Sequence, residues 1–175
     1  QKYIKAWTQA LANLQVAPFT SLKGAINTLN TLISKQSPMA KLLRIIYDNT
    51  ASISDNNVKV TSRFEPLNDN SKGESDASWL QTVATLTKIR DYLVSLQHTA
   101  NPEKSAFEAA KIAIQGTKSP IQQLTVEAEK SPQPVKHWLN GIANDTWQIV
   151  VQSAHDYIND AWSKGVMQTY NAGIR

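Results

Sequence analysis

The chain has 175 residues, no cysteine, and 18 basic against 14 acidic residues, for a net charge of +4. Its 41% hydrophobic and 18% charged residues are the composition of a folded chain, long enough for one domain or two small ones packed together. The missing cysteines exclude disulfides, zinc–thiolate sites and thiol nucleophiles, and the apolar runs are far shorter than the ~20 residues that span a bilayer. Lys and Arg are scattered, with Lys41/Arg44 and Lys88/Arg90 the nearest to clusters, which argues against a nucleic-acid surface.

The apolar spacing predicts helix nearly throughout. Ile4, Trp7, Leu11 and Leu14 fall three and four apart, on one helical stripe that Pro18 should end. A second helix starts at Thr20 or Ser21 and carries Leu22, Ile26, Leu29 and Ile33. Ser37-Pro38 reads as an N-cap with proline at the first helical position, followed by a stripe of Met39, Leu42, Leu43 and Ile46.

From 51 to 77 the pattern breaks. Asp55-Asn56-Asn57 and the polar run from Asn68 to Asp76 are loop chemistry, so this Asn/Ser/Asp-rich region is expected to be flexible. Val58, Val60, Phe64 and Leu67 suggest a short helix or extended piece docked on the core. Trp79, Val83, Leu86, Ile89, Leu93 and Leu96 then form a stripe about five turns long. Asn101-Pro102 and Ser119-Pro120 repeat the cap-and-proline start, with Gly116 as the stop between them. The second of these helices carries Ile121, Leu124 and Ala128. The segments share no other pattern and are not repeats.

From Val135 to about Ala172 there is no proline, and the only interior glycines are Gly141 and Gly165. A single helix of that length would extend on the order of 55 Å. Its apolar residues include Trp138, Trp147, Tyr157, Trp162 and Tyr170, and together they are too widely spread for one face. Such a helix is either buried among several others or covered by a partner. Period-two alternation and hairpin turn dipeptides are missing, so the fold class is all-α: a multi-helix bundle with a long C-terminal helix. The expected organisation is one helical domain over 1–175. Within it, sub-bundles 1–50 and 78–175 joined by 51–77 are the alternative.

No catalytic pattern meets the spacing its chemistry needs. No phosphate-binding loop occurs among six glycines, and no nucleophile elbow is present. His98, His137 and His155 each lack the second His of a zinc-protease helix. Glu127 and Glu129 point to different helix faces, unlike a glycosidase pair. Asn144-Asp145-Thr146 matches a glycosylation triplet but falls inside a helix. The five tryptophans lie on or beside apolar stripes, so packing is preferred to a sugar-binding platform. No cofactor, metal or catalytic residue is expected. Trp138, Trp147, Tyr157, Trp162 and Tyr170 are the candidate packing and interface residues.

The motif order allows more. Pro18-Phe19-Thr20-Ser21, then Leu29-Asn30-Thr31-Leu32, then Leu42-Leu43-Arg44-Ile45-Ile46 resemble the IcmF/TssM family of type VI secretion inner-membrane core proteins. A Phe-x-x-Leu segment like Phe64 to Leu67 and a start like Ser119-Pro120-Ile121 are also similar to it. The C-terminal block resembles it most closely: Pro134, Trp138-Leu139, Trp147, Val150, Ala154, Tyr157-Ile158-Asn159, Trp162, Val166 and Tyr170. The resemblance implies a non-enzymatic, helical scaffold segment in the periplasmic part of a bacterial inner-membrane-anchored protein. The implied partners are the lipoprotein TssJ, TssL and further copies of the full-length protein, with no nucleic acid. TssJ would be met mainly through a following β-rich domain, expected to be absent because Gly173-Ile174-Arg175 stands where its leading motif should begin. The missing initiator Met likewise suggests a fragment, with any membrane anchor upstream. A periplasmic ligand-sensing or cell-wall-binding helical domain is the alternative.

Overall fold

The computed structural model describes residues 6, 9–11, 13–50 and 77–173. Within them every regular element is a helix: α1 (Leu22–Ile33), α2 (Pro38–Thr50), α3 (Ala77–Gln97), α4 (Pro102–Ile114), α5 (Pro120–Lys130) and α6 (Val135–Gly173). A helical turn at residues 9–11 precedes them. The all-α reading therefore holds, and the long C-terminal helix is one continuous element. Ile4, Trp7 and the region expected as a flexible loop lie outside the described residues, apart from Ala77, which opens α3.

The starts follow the caps read from the sequence. Ser21 accepts the amide of Gly24 at 3.0 Å, satisfying one of the amides that a helix start leaves unpaired. Asn101 does the same for Lys104 at 2.8 Å, with Pro102 at the first helical position. At Ser119 the device is complete: its hydroxyl accepts from the Gln122 amide, while the Gln122 side chain accepts from the Ser119 amide, both at 3.2 Å. α4 stops where Gly116 takes φ +87°, a left-handed conformation that a side chain would strain. The Gln133–Pro134 peptide before α6 is cis.

One expected boundary moves. The first helix was to run to Pro18, but its helical turn is over at Asn13, and Leu14 to Thr20 carry no helix. Leu14 is 41% exposed instead of lying on a buried stripe, and its carbonyl accepts the Trp138 indole N–H at 2.8 Å. That tertiary bond takes up a carbonyl which the helix would otherwise have used, and it ties the N-terminal segment to α6.

The core joins both halves of the sequence. Ala25 and Leu29 of α1, Leu86, Ile89 and Leu93 of α3, Ala106 of α4, Leu124 of α5, and Leu139, Ile142 and Val150 of α6 belong to one buried cluster. α6 lies in the groove between α4 and α5, while α1 packs along α3. The small Ala106, Ala110 and Ala128 let the backbones of α4 and α5 approach α6 closely. Across the α1–α3 contact, Arg90 Nη1 donates to Asn30 Oδ1 at 3.2 Å.

Candidate interaction surface

α6 has 39 residues and so extends about 58 Å at ~1.5 Å per residue, longer than any helix it packs against. Its first half is a core helix. Val135, Trp138, Leu139, Ile142, Ala143, Ile149, Val150 and Ala154 are all buried. Thr146, fully buried, returns its hydroxyl to the Ile142 carbonyl at 2.7 Å, so no polar group is stranded there. Lys136 at the start of α6 holds the Glu129 carboxylate of α5 at 2.7 Å. Hydrogen bonding and charge from Lys136 keep the Glu129 carboxyl below its ordinary value.

The second half differs. Tyr157 makes an aromatic contact with Phe107 of α4, ring centroids 5.4 Å apart. Beyond it, every side chain described from Ile158 to Gly173 is exposed. About 24 Å of helix thus projects past the bundle. It carries Ile158, Trp162, Val166, Met167 and Tyr170, with Trp162 at 65% and Tyr170 at 64% exposed. The charged side chains of this region are tied locally: Lys164 to Asp160 at 2.7 Å, and Asp156 as acceptor from Gln152 at 3.0 Å.

The apolar side of α6 changes where the helix leaves the bundle. At 3.6 residues per turn, roughly 100° per residue, Leu139, Ile142, Thr146 and Val150 share the side that meets α4 and α5. Val151, Ile158, Trp162 and Val166 lie on the opposite side. There they form a strip, with His155 within it, that no Asp, Glu, Lys or Arg interrupts, because Asp156, Asp160 and Lys164 occupy the other half of the circumference. The overall apolar spread read from the sequence is thus two stripes in succession, one covered by this chain and one bare.

The five candidate residues fall on both parts. Trp138 is buried and hydrogen-bonded, Trp147 is half-buried against the core, and Tyr157 is half-buried beside Phe107. Trp162 and Tyr170 stand in solvent. Sequence reasoning passed over Val151 and Ile158 as interface candidates, although their spacing with Trp162 was there to be read. Trp79 is buried in α3, as its stripe suggested, and Trp7 lies outside the described residues.

Two concavities among the described residues lie away from the projecting half of α6. One, of about 360 Å³, lies between residues 14–17, α1, α2 and Trp138, and is walled by apolar side chains including Leu32, Met39 and Leu42. The other, of about 250 Å³, is formed by α4, α5 and α6 beside Trp147. Neither is lined by a charged residue. Among the described residues no three His, Asp or Glu side chains converge as a metal site would need. No described helix is long and apolar enough to cross a membrane.

Residues 1–51 match the family model described as "IcmF-related: Intracellular multiplication and human macrophage-killing". The fold also matches a solved structure titled "Type VI secretion system membrane core complex", with a TM-score of 0.71 over 99% of this chain at 19% identity. Residues 1–51 are thus IcmF-related in sequence. The chain spans 38% of the length of the chain it matches in that complex. No curated protein matches it. The IcmF-related match covers the N-terminal segment, α1 and α2, whereas the likeness of fold extends through α6.

Proposed function

We propose that this chain is a periplasmic, non-catalytic scaffold segment of a type VI secretion trans-envelope membrane complex, acting through protein–protein contacts. The observation that carries the reading is the projecting half of α6, whose apolar strip of Val151, Ile158, Trp162 and Val166 stays exposed among the described residues. Isolated apolar side chains on a surface are ordinary. A contiguous strip containing a two-thirds exposed tryptophan marks a contact site. The IcmF-related match over residues 1–51 supports a partner within the secretion complex: TssJ, TssL or further copies of the protein.

The ligand-sensing alternative would need convergent polar groups in a deep pocket. The larger concavity offers only Gln15, Thr28 and Thr31 amid apolar walls, so the scaffold reading takes precedence. The 175 residues contain no cysteine of their own, so a cysteine placed here reports on this segment when labelling is compared with that of the parent protein. A Ser163→Cys substitution in the full-length protein should be labelled in intact cells by a thiol reagent that passes the outer but not the inner membrane. Labelling only after inner-membrane lysis would put the segment in the cytoplasm and refute the periplasmic reading.

A further inference from the structure

Between the helical turn at residues 9–11 and α1, residues 14–20 run over the bundle with no helix of their own. Little holds them there. Leu14 donates its amide to the Leu11 carbonyl at 3.3 Å, and its own carbonyl accepts the Trp138 indole N–H at 2.8 Å. Beyond those two bonds, residues 14–20 make no hydrogen bond among the described residues, and Pro18 has no amide to give. Val16 and Phe19 are half-buried against the core, while Leu14, Gln15, Ala17, Pro18 and Thr20 are exposed.

Beside this segment lies the apolar concavity of about 360 Å³. A packed interior leaves few voids larger than a water molecule, so here the segment lacks the dense contacts that hold a core element. Leu32 and Met39, in the same walls, are nevertheless nearly covered, at 6% and 5% exposure. Segments with few hydrogen bonds and few buried contacts open at a lower free energy than global unfolding requires.

We propose that residues 14–20 are a strap, latched by the Leu14–Trp138 bond, that opens while α3 to α6 stay packed and uncovers the walls of the concavity. The separation follows from where the contacts fall. Opening the strap breaks one long-range hydrogen bond and exposes Val16 and Phe19, both already half in solvent. Leu124 of α5 and Leu139, Ile142 and Val150 of α6 belong to the buried cluster and do not line the concavity. Among the described residues, Trp138 is the one wall residue from outside residues 14–42, so the long helix is what fastens the strap. This device does not depend on reading the outer half of α6 as a contact surface.

Thiol labelling of the cysteine-free 175-residue chain, carrying one introduced cysteine at a time, tests it. Met39→Cys puts the thiol in the wall of the concavity, and Val150→Cys puts it in the packed part of α6. With an aromatic disulfide reagent in excess, Met39→Cys is expected to react about tenfold faster or more. Its rate should be nearly flat in low urea, where that of Val150→Cys climbs steeply. Ile121→Val, a small loss in the core of α5, should speed Val150→Cys about threefold and leave Met39→Cys within about twofold. Trp138→Phe, which releases the latch, should speed Met39→Cys about fivefold or more. Should circular dichroism show Met39→Cys less helical than wild type, Leu32→Cys in the same walls carries the same expectations. A thiol there that follows Val150→Cys, both in urea slope and in its response to Ile121→Val, opens only by global unfolding and overturns the proposal. So does a rate that Trp138→Phe leaves unchanged. Neither outcome bears on the periplasmic scaffold reading, which is read from labelling in cells.

Discussion

Trp138 and Trp162 are the same residue type on the same helix, and their surroundings give them opposite work. Trp138 is buried and spends its indole N–H on the Leu14 carbonyl at 2.8 Å, while Trp162 is 65% exposed. Replacing Trp138 by Phe removes the hydrogen bond and part of the ring packing, so urea unfolding should show a loss of about 1–3 kcal/mol. Trp138→Ala should lose roughly 3–5 kcal/mol, because a cavity is added. Trp162→Ala should leave global stability unchanged within about 0.5 kcal/mol, since the side chain is 65% exposed and outside the buried cluster. A large loss there would mean that the tryptophan packs on its own chain. The sequence identified all five tryptophans as apolar-stripe residues, but stripe position alone does not say whether the covering surface belongs to the same chain. The Leu14–Trp138 bond was illegible for a different reason: it joins residues 124 apart, and no local pattern encodes it.

At the scale of elements, the starts were the most legible part of the fold, because a cap is a local chemical event. Ser21, Ser37, Asn101 and Ser119 each precede a helix as read, and Ser119 closes a full capping box. Ser119→Ala should cost about 1 kcal/mol by thermal or urea denaturation, and Ser119→Asp should recover most of it. The first helix was misjudged because Pro18 sets a latest possible end, whereas the actual end came from a tertiary bond. The α5–α6 connection makes a pH-dependent contribution. Lys136 lowers the Glu129 carboxyl below its ordinary value in the folded chain. Folding is therefore favoured while this carboxyl is ionised, and the favour is lost as pH falls through the lowered value. Comparing wild type with Lys136→Met, the urea midpoints should differ most near neutral pH and converge in acid. A gap that widens on acidification would reverse the assigned sign.

Across the whole molecule, α6 is both the spine of the bundle and its outward extension. The half between α4 and α5 is fixed by Leu139, Ile142 and Val150, all fully buried. The half beyond Tyr157 has no such support, and its stripe faces the other way. The sequence showed that this helix was too apolar for one face. It did not show that the excess divides in succession along the helix, because the point of exit depends on how far α4 and α5 reach. On the proposed reading, the first half builds the scaffold and the second half makes the contact. The most direct test places a photoreactive amino acid at Trp162 of the full-length protein in the assembled membrane complex, with Met167 as the opposite-face control. An efficient cross-link to a subunit of the complex is expected from position 162, and little from 167. Equal yields from both positions, or none from 162, would contradict a contact made through this strip.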